Sequence, residues 1–244
     1  MTETFDILII GAGIVGTACA LELAQVGLSV CLIERDTVGG GATAAGMGHI
    51  VVMDDSPAQL LLTRYSQTLW DTLVQSDPQP YGYTRCGTIW IAADIEEMQE
   101  VAHKHALYRE YEVDSEILDS HQLYALEPRL HPGLAGGLLV PGDSVVYPPS
   151  CAALLLAQAS QYNTTLINGN VCELLPNGVK LQNGQTIQAA AIVLASGAHA
   201  SELLPDLPLR PKKGHLAITD RYPGFIHHQL IELGYIKNAH ASSG

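Results

Sequence analysis

Residues 11–16 read GAGIVG, and Glu34 lies eighteen residues beyond the last of these three glycines. This pattern suits the binding of a diphosphate. Gly11 permits a tight turn, Gly13 lets the backbone approach a pyrophosphate, and Gly16 allows a helix to pack closely on a strand. The N–H groups of Ile14 and Val15, at the start of that helix, then face the phosphates. The helix dipole adds the equivalent of about +0.5 charge. Glu34 can accept hydrogen bonds from ribose hydroxyls, and its charge repels a 2′-phosphate. Arg35 beside it reads both as a contact for the adenosine end and as a solvated charge at a strand end.

The motif means little without the elements that must position it. FDILII (5–10) is a short, nearly continuous apolar run, as in a parallel strand buried on both faces. After the glycines, Val15, Cys19, Leu23 and Val26 recur at helical spacing, and Gly27 stands where a helix C-cap belongs. SVCLIE (29–34) is a second apolar strand, which completes a βαβ unit with the glycines at its first turn.

The segment after that unit separates the dinucleotides. In a nicotinamide-only domain a helix usually comes soon after the second strand. Here residues 36–55, DTVGGGATAAGMGHIVVMDD, show no helical periodicity. The stretch GGGATAAGMGHI (39–50) is small and uncharged, whereas a linker would hold more Ser, Pro or charge. It predicts a backbone that lies against a wide flat ring and donates N–H groups to it.

The bulk numbers exclude other classes. The chain has 244 residues, 47% of them hydrophobic, enough for a real core in one large domain or two modest ones. Twelve Lys and Arg against 25 Asp and Glu leave a net charge of −13, which disfavours nucleic acid or anionic lipid as a partner. Five cysteines, with no C-x-x-C, fit neither a disulfide framework nor a zinc site and point to a reducing, cytoplasmic setting. The start lacks the basic region of a signal peptide, and no uncharged run suits a membrane span.

Further along, Ser56 and Pro57 open an amphipathic helix over 57–77, and GTIWIAA (87–93) is a strand. Asp94 caps a helix over 94–111. Residues 114–150 mix short strands with loops, and SCAALLLAQASQY (150–162) is helical again. Strands separated by PNG and QNGQ turns fill 164–194, and GHLAIT (214–219) reads as one more strand.

Together these segments resemble the FAD-dependent oxidoreductases of the D-amino-acid oxidase type, the group of glycine oxidase, sarcosine oxidase and D-amino-acid dehydrogenases. The carriers are GAGIVG, the pair Glu34–Arg35, GGGATAAGMG (39–48), PGDSVVYPPSCAALLLAQA (141–159), NGNVCEL (168–174), AAIVLASGAHASEL (190–203) and LRPKKGHLAIT (209–219). The resemblance implies a Rossmann-like α/β FAD-binding domain from residues 1–50 and 141–210, with a mixed-sheet substrate domain from 51–140 and 211–244. It implies that Ala42, Thr43, Ala44, Gly46 and Met47 lie nearest the flavin. Val171 offers its backbone to the adenine, and Ser196 and Gly197 let the returning strand approach the cofactor. It further implies that the chain lacks the C-terminal third, which leaves the substrate region incomplete.

The resemblance also implies oxidation of an amine or amino acid of the D-amino acid, glycine or N-substituted glycine kind. The electron acceptor is undefined and an oligomer is possible. No residue present maps onto the Arg that binds a substrate carboxylate; Arg85, Arg129, Arg210 and Arg221 qualify only by type and read first as surface charges. His49 follows the flavin loop and reads first as a satisfied loop histidine, then as a neighbour of the ring, and last as a covalent flavin link. His215, His227 and His228 show no metal spacing, and Tyr83, Trp90 and Tyr147 are pocket candidates that read first as packing. A NAD-dependent dehydrogenase and a catalytically silent dinucleotide-binding subunit are the competing readings.

Overall fold

In the computed structural model residues 4–234 are described. In chain order the elements are β1 (Thr4–Ile10), α1 (Ile14–Gln25), β2 (Val30–Glu34), α2 (Gly41–Ala45), β3 (His49–Ile50), α3 (Pro57–Val74), β4 (Thr88–Ala92), α4 (Ile95–Glu110), β5 (Glu116–Asp119) and α5 (Ser120–Leu126). Then come β6 (Gly136–Val140), β7 (Ser144–Val145), α6 (Pro148–Ala159), β8 (Thr164–Asn168), β9 (Val171–Leu175), β10 (Gly178–Leu181), β11 (Thr186–Leu194), α7 (Ala200–Leu203) and β12 (Gln229–Glu232).

They form two compact units. The first takes residues 4–48, the turn 79–82, and 146–215; the second takes 49–78, 83–145 and 216–234. The first unit is built on a six-stranded sheet of order β8-β2-β1-β11-β10-β9. Its four strands β8, β2, β1 and β11 run parallel, while β10 and β9 are antiparallel additions. Phe5, Leu8, Ile10, Cys31, Ile33, Val179, Leu181 and Ile187 make one continuous core on this sheet.

α1 differs from the expected stripe. Val15 and Val26 are exposed, and the helix instead buries Gly16, Thr17, Ala20, Leu21 and Ala24. Small residues at i, i+4 and i+8 let α1 lie close against its neighbours, which a bulkier apolar stripe would prevent. Gly27 ends the helix at φ +91°, as a C-cap position demands.

The second unit holds a mixed four-stranded sheet of order β12-β4-β6-β5, in which β12 and β4 are parallel and the other pairs antiparallel. Trp90, Val101, Tyr108, Leu138 and Val140 pack on one face of it, and Ile89, Ile91, Leu118 and Leu123 on the other. Ser56 and Asp94 cap α3 and α4 as expected, each accepting a hydrogen bond from the N–H three residues on. α3 is less amphipathic in use than in sequence, with only Leu60 and Val74 buried. The strand expected at 214–219 is not formed; these residues are exposed and irregular, with no ladder partner among the described residues.

Candidate functional site

Strand order reverses on either side of β1 in the first unit, the place where an open α/β sheet leaves a crevice at the carboxyl ends of its strands. A cleft of about 530 Å³ lies there. Its walls come from separated parts of the chain: residues 10, 11 and 13–15, 33–37, 40–43, 169–171, 195–199, and Glu202 with Leu203.

The glycines of residues 11–16 take distinct places. Gly11 has φ +102°, and a Cβ on it would stand 2.6 Å from the Ala195 carbonyl oxygen. A Cβ on Gly16 would stand 1.9 Å from the Gly11 carbonyl oxygen, so α1 sits as close to this turn as a helix can. Gly16 is buried behind the cleft and lines none of it. At Gly13 a Cβ would meet only the Thr43 hydroxyl, at 3.1 Å.

Hydrogen bonds tie these walls together. The Ala12 N–H donates to Glu34 Oε2 at 2.7 Å, and the Asp36 N–H to Glu34 Oε1 at 2.9 Å. Glu34 therefore holds the glycine turn to the end of β2 and keeps lone pairs for a ligand hydroxyl. The Ile14 N–H donates to Thr43 Oγ1 at 3.0 Å, which binds α2 to the start of α1. Gly39 N–H donates to the Ala12 carbonyl at 2.9 Å, and Gly169 N–H to the Glu34 carbonyl at 2.8 Å.

Of the residues singled out in the sequence, the cleft gathers Gly11, Gly13, Ile14, Val15, Glu34, Arg35, Ala42, Thr43, Val171, Ser196 and Gly197. Ala44, Gly46 and Met47 are not among its lining. Residues 41–45 coil into the one-turn helix α2, closed by a Gly46 N–H bond to the Thr43 carbonyl, and Met47 is 60% exposed. Ala42 and Thr43 thus face the cleft while the residues after them turn away.

Two observations fit a flavin dinucleotide in the cleft. The Ser196 hydroxyl oxygen is buried on the cleft wall without a partner among the described residues, a group that a polar ligand atom would satisfy. Gly41 and Gly197, at φ +57° and +56°, have open space where a Cβ would stand, so the backbone there can be approached closely.

The rim carries side chains that the sequence does not mark. Arg35 pairs with Asp36 at 2.9 Å and reaches Glu202 at 3.6 Å, and Glu202 meets His199 Nδ1 at 2.6 Å. The His199 hydrogen bond holds the Glu202 carboxyl below the usual carboxylate range. Only the i,i+3 spacing of His199 and Glu202 hints at a pair; the approach of Arg35 needs the fold.

Several of the remaining candidates have local partners in the second unit. Arg85 and the Tyr83 hydroxyl both donate to Asp71, and the Arg129 guanidinium lies 5.6 Å from the Phe225 ring centre. Arg210, Arg221 and His215 are exposed. His227 and His228 donate their N–H groups to the buried carboxylate of Glu127, each at 2.8 Å, and His228 Nδ1 meets the same oxygen. Burial lowers the His49 pKa. Trp90 is core, with the Lys104 ammonium, paired to Asp54, 4.2 Å from its ring centre. Tyr147, in the first unit, is 60% exposed.

Asp143 carries no signal in the sequence. It is fully buried and accepts from the Val52 N–H at 3.1 Å and from Gln67 Nε2 at 2.9 Å; burial pushes its carboxyl above the usual range. Among the described residues no group of His, Cys, Asp and Glu is placed to hold a metal ion, and no helix is long and apolar enough to cross a membrane.

Residues 6–239 match the family model described as DAO, FAD dependent oxidoreductase. The chain is 29% identical over 215 residues to a glycine oxidase of Geobacillus kaustophilus, covering 83% of this chain and 57% of that protein. It is 33% identical over 230 residues to a bifunctional protein ThiO/ThiG of Nostoc sp., covering 87% of this chain and 34% of that one. Among solved structures, the Geobacillus kaustophilus glycine oxidase superposes with TM-score 0.81 at 25% identity, over 95% of this chain and 67% of that one. An L-proline dehydrogenase from P. horikoshii shares the fold, with TM-score 0.82 at 22% identity over 96% of this chain and 66% of that one. The chain thus spans about a third to two thirds of the length of these relatives.

Proposed function

The chain belongs to the DAO family of FAD-dependent oxidoreductases, and from that premise we propose that it binds FAD and serves the oxidation of a small amine or amino acid. The observation that carries the reading is the cleft of the first unit, where the glycine turn, the end of β2, α2 and the segment after β11 converge. Residues 1–50 and 141–210 form the FAD-binding domain in this reading, and 51–140 with 211–244 the substrate domain. Gly11, Gly13 and the Val15 N–H meet the diphosphate while Gly16 seats the helix behind them, Glu34 meets the ribose, Val171 the adenine side, and Ala42, Thr43, Ser196 and Gly197 the remainder of the cofactor.

When bound, the flavin supplies the acceptor for hydride leaving the carbon that bears the nitrogen. This chain's own residues orient the cofactor. Glu34 fixes the ribose end while holding Ala12, and Thr43 sets the start of α1 through the Ile14 N–H. Glycine or an N-substituted glycine is the favoured substrate, because glycine oxidases recur among the relatives. Five cysteines without a C-x-x-C spacing support a cytoplasmic location.

The test is a visible spectrum of the purified, desalted chain, before and after addition of FAD. The two flavin bands, retained through desalting, are the expected result. A chain that is folded by circular dichroism yet stays colourless with added FAD refutes the cofactor assignment.

A further inference from the structure

The sequence holds three Asn-Gly pairs, at 168–169, 177–178 and 183–184, and the fold treats them differently. Asn-Gly is the dipeptide most prone to cyclise, because glycine puts no side chain in the path of its own backbone nitrogen. We propose that Asn183 is a site of spontaneous deamidation and isoaspartate formation, and that the other two asparagines are protected by the sheet. This inference is independent of the cofactor reading.

In the reaction the Gly184 backbone nitrogen attacks the Asn183 side-chain carbonyl carbon. A C–N bond forms, the amide nitrogen leaves as ammonia carrying the backbone proton, and a succinimide results. Water then opens either ring carbonyl, giving aspartate or isoaspartate, with no change of oxidation state. The step requires the glycine N–H to leave its hydrogen bond and the peptide plane to rotate.

At Asn168 that nitrogen is held in the sheet: Gly169 N–H donates to the Glu34 carbonyl at 2.8 Å. At Asn177 the peptide between the two residues is pinned, since the Asn177 carbonyl accepts from the Ala189 N–H at 3.1 Å. Gly178 is itself buried and registered between Leu175 and Gln188, and the Ile187 carbonyl oxygen would lie 2.1 Å from a Cβ there.

Asn183 and Gly184 instead lie in the exposed loop 182–185 between β10 and β11. Gly184 N–H is bonded only within its own turn, to the Leu181 carbonyl at 2.9 Å, and the glycine sits at φ +87° with open space where a Cβ would stand. The Asn183 side-chain oxygen accepts from the Gln185 N–H at 2.9 Å, which folds the side-chain carbonyl back over the next stretch of backbone. Opening this local turn releases one bond to the Leu181 carbonyl and leaves the ladder in place, whereas freeing the other two nitrogens requires disrupting the sheet.

Isoaspartate would add a methylene to the backbone of a four-residue loop. The closing bond from Leu181 N–H to the Gln185 carbonyl, 2.8 Å, would be lost, and the register that buries Leu181 and Ile187 would loosen. The modification therefore acts as an ageing mark on the β10–β11 hairpin.

The test is incubation of the full chain in mildly alkaline buffer at 37 °C, followed by peptide mapping with mass spectrometry that separates aspartate from isoaspartate. Native protein should accumulate the modification at Asn183 about tenfold or more ahead of Asn168 and Asn177. The same chain in urea should modify all three at comparable rates, and Asn183→Gln should remove the leading native signal. A native order in which Asn183 does not lead, or a ranking in urea identical to the native one, overturns the proposal.

Discussion

Two alanine substitutions in the glycine turn, Gly13→Ala and Gly16→Ala, separate its binding role from its structural one. Gly16→Ala places a methyl carbon 1.9 Å from the Gly11 carbonyl oxygen, against an ordinary contact of 3.4 Å or more. The helix must back away by about 1.5 Å, because the oxygen cannot yield. Gly11 is itself locked at φ +102°, with its N–H on the Ile33 carbonyl at 2.8 Å. Overpacking of this kind costs about 3 kcal/mol, the upper part of the usual range. For a chain of this size that is a fall in Tm of about 6–12 °C. Gly13→Ala meets only the Thr43 hydroxyl, at 3.1 Å, and costs at most the Ile14–Thr43 bond, about 1 kcal/mol. Its methyl nevertheless enters the cradle, so FAD affinity should fall about 10- to 100-fold while Tm changes by no more than about 4 °C. Thermal unfolding followed by circular dichroism gives the first number, and titration of flavin fluorescence the second. If Gly16→Ala melts within about 2 °C of the parent, or Gly13→Ala is the more destabilising of the two, the packing argument is wrong.

Three other outcomes are expected. Asp143, whose carboxyl burial raises, binds its proton more tightly folded than unfolded; it adds stability as pH falls from its folded pKa toward the unfolded value near about 3.9, and Asp143→Asn should remove that pH dependence from urea midpoints. A difference curve of the opposite slope would contradict it. Glu202→Gln should speed FAD release about two- to fivefold at low salt, an effect that high salt erases; stopped-flow release with no salt dependence would count against the rim pair. Glu127→Ala strips the acceptor from the His227 and His228 N–H groups and should cost about 2–4 kcal/mol, with faster proteolysis between residues 220 and 228; Glu127→Gln, which keeps one acceptor, should be milder.

Legibility tracks the range of the interactions. The β1–α1–β2 unit can be read because its signals lie within about thirty residues and each has one mechanical cause. The buried face of α1 cannot, since Gly16, Ala20 and Ala24 add little hydrophobicity and matter through their smallness. α5 escapes the sequence reading although its capping box, Asp119 with Gln122, is present there. The alternation of HLAIT suggests a strand, but a strand needs a neighbour, and 214–219 has none among the described residues. In the cleft, Glu34 is legible from spacing alone. His199 and Glu202 are not, because what makes them part of it is the arrival of Arg35 from a segment far earlier in the chain.

The central place of β1 in its sheet has a consequence for synthesis. β1 is flanked by β2 and by β11, with Ile10 beside Leu194. A ribosome adding about 5–20 residues per second needs roughly ten to forty seconds to supply that second neighbour. Throughout that time Leu8 and Ile9, wholly buried at the end, stand on an open strand edge. Translation speed through residues 30–190, and the chaperones that meet the nascent chain, therefore govern how much of this protein reaches its native state.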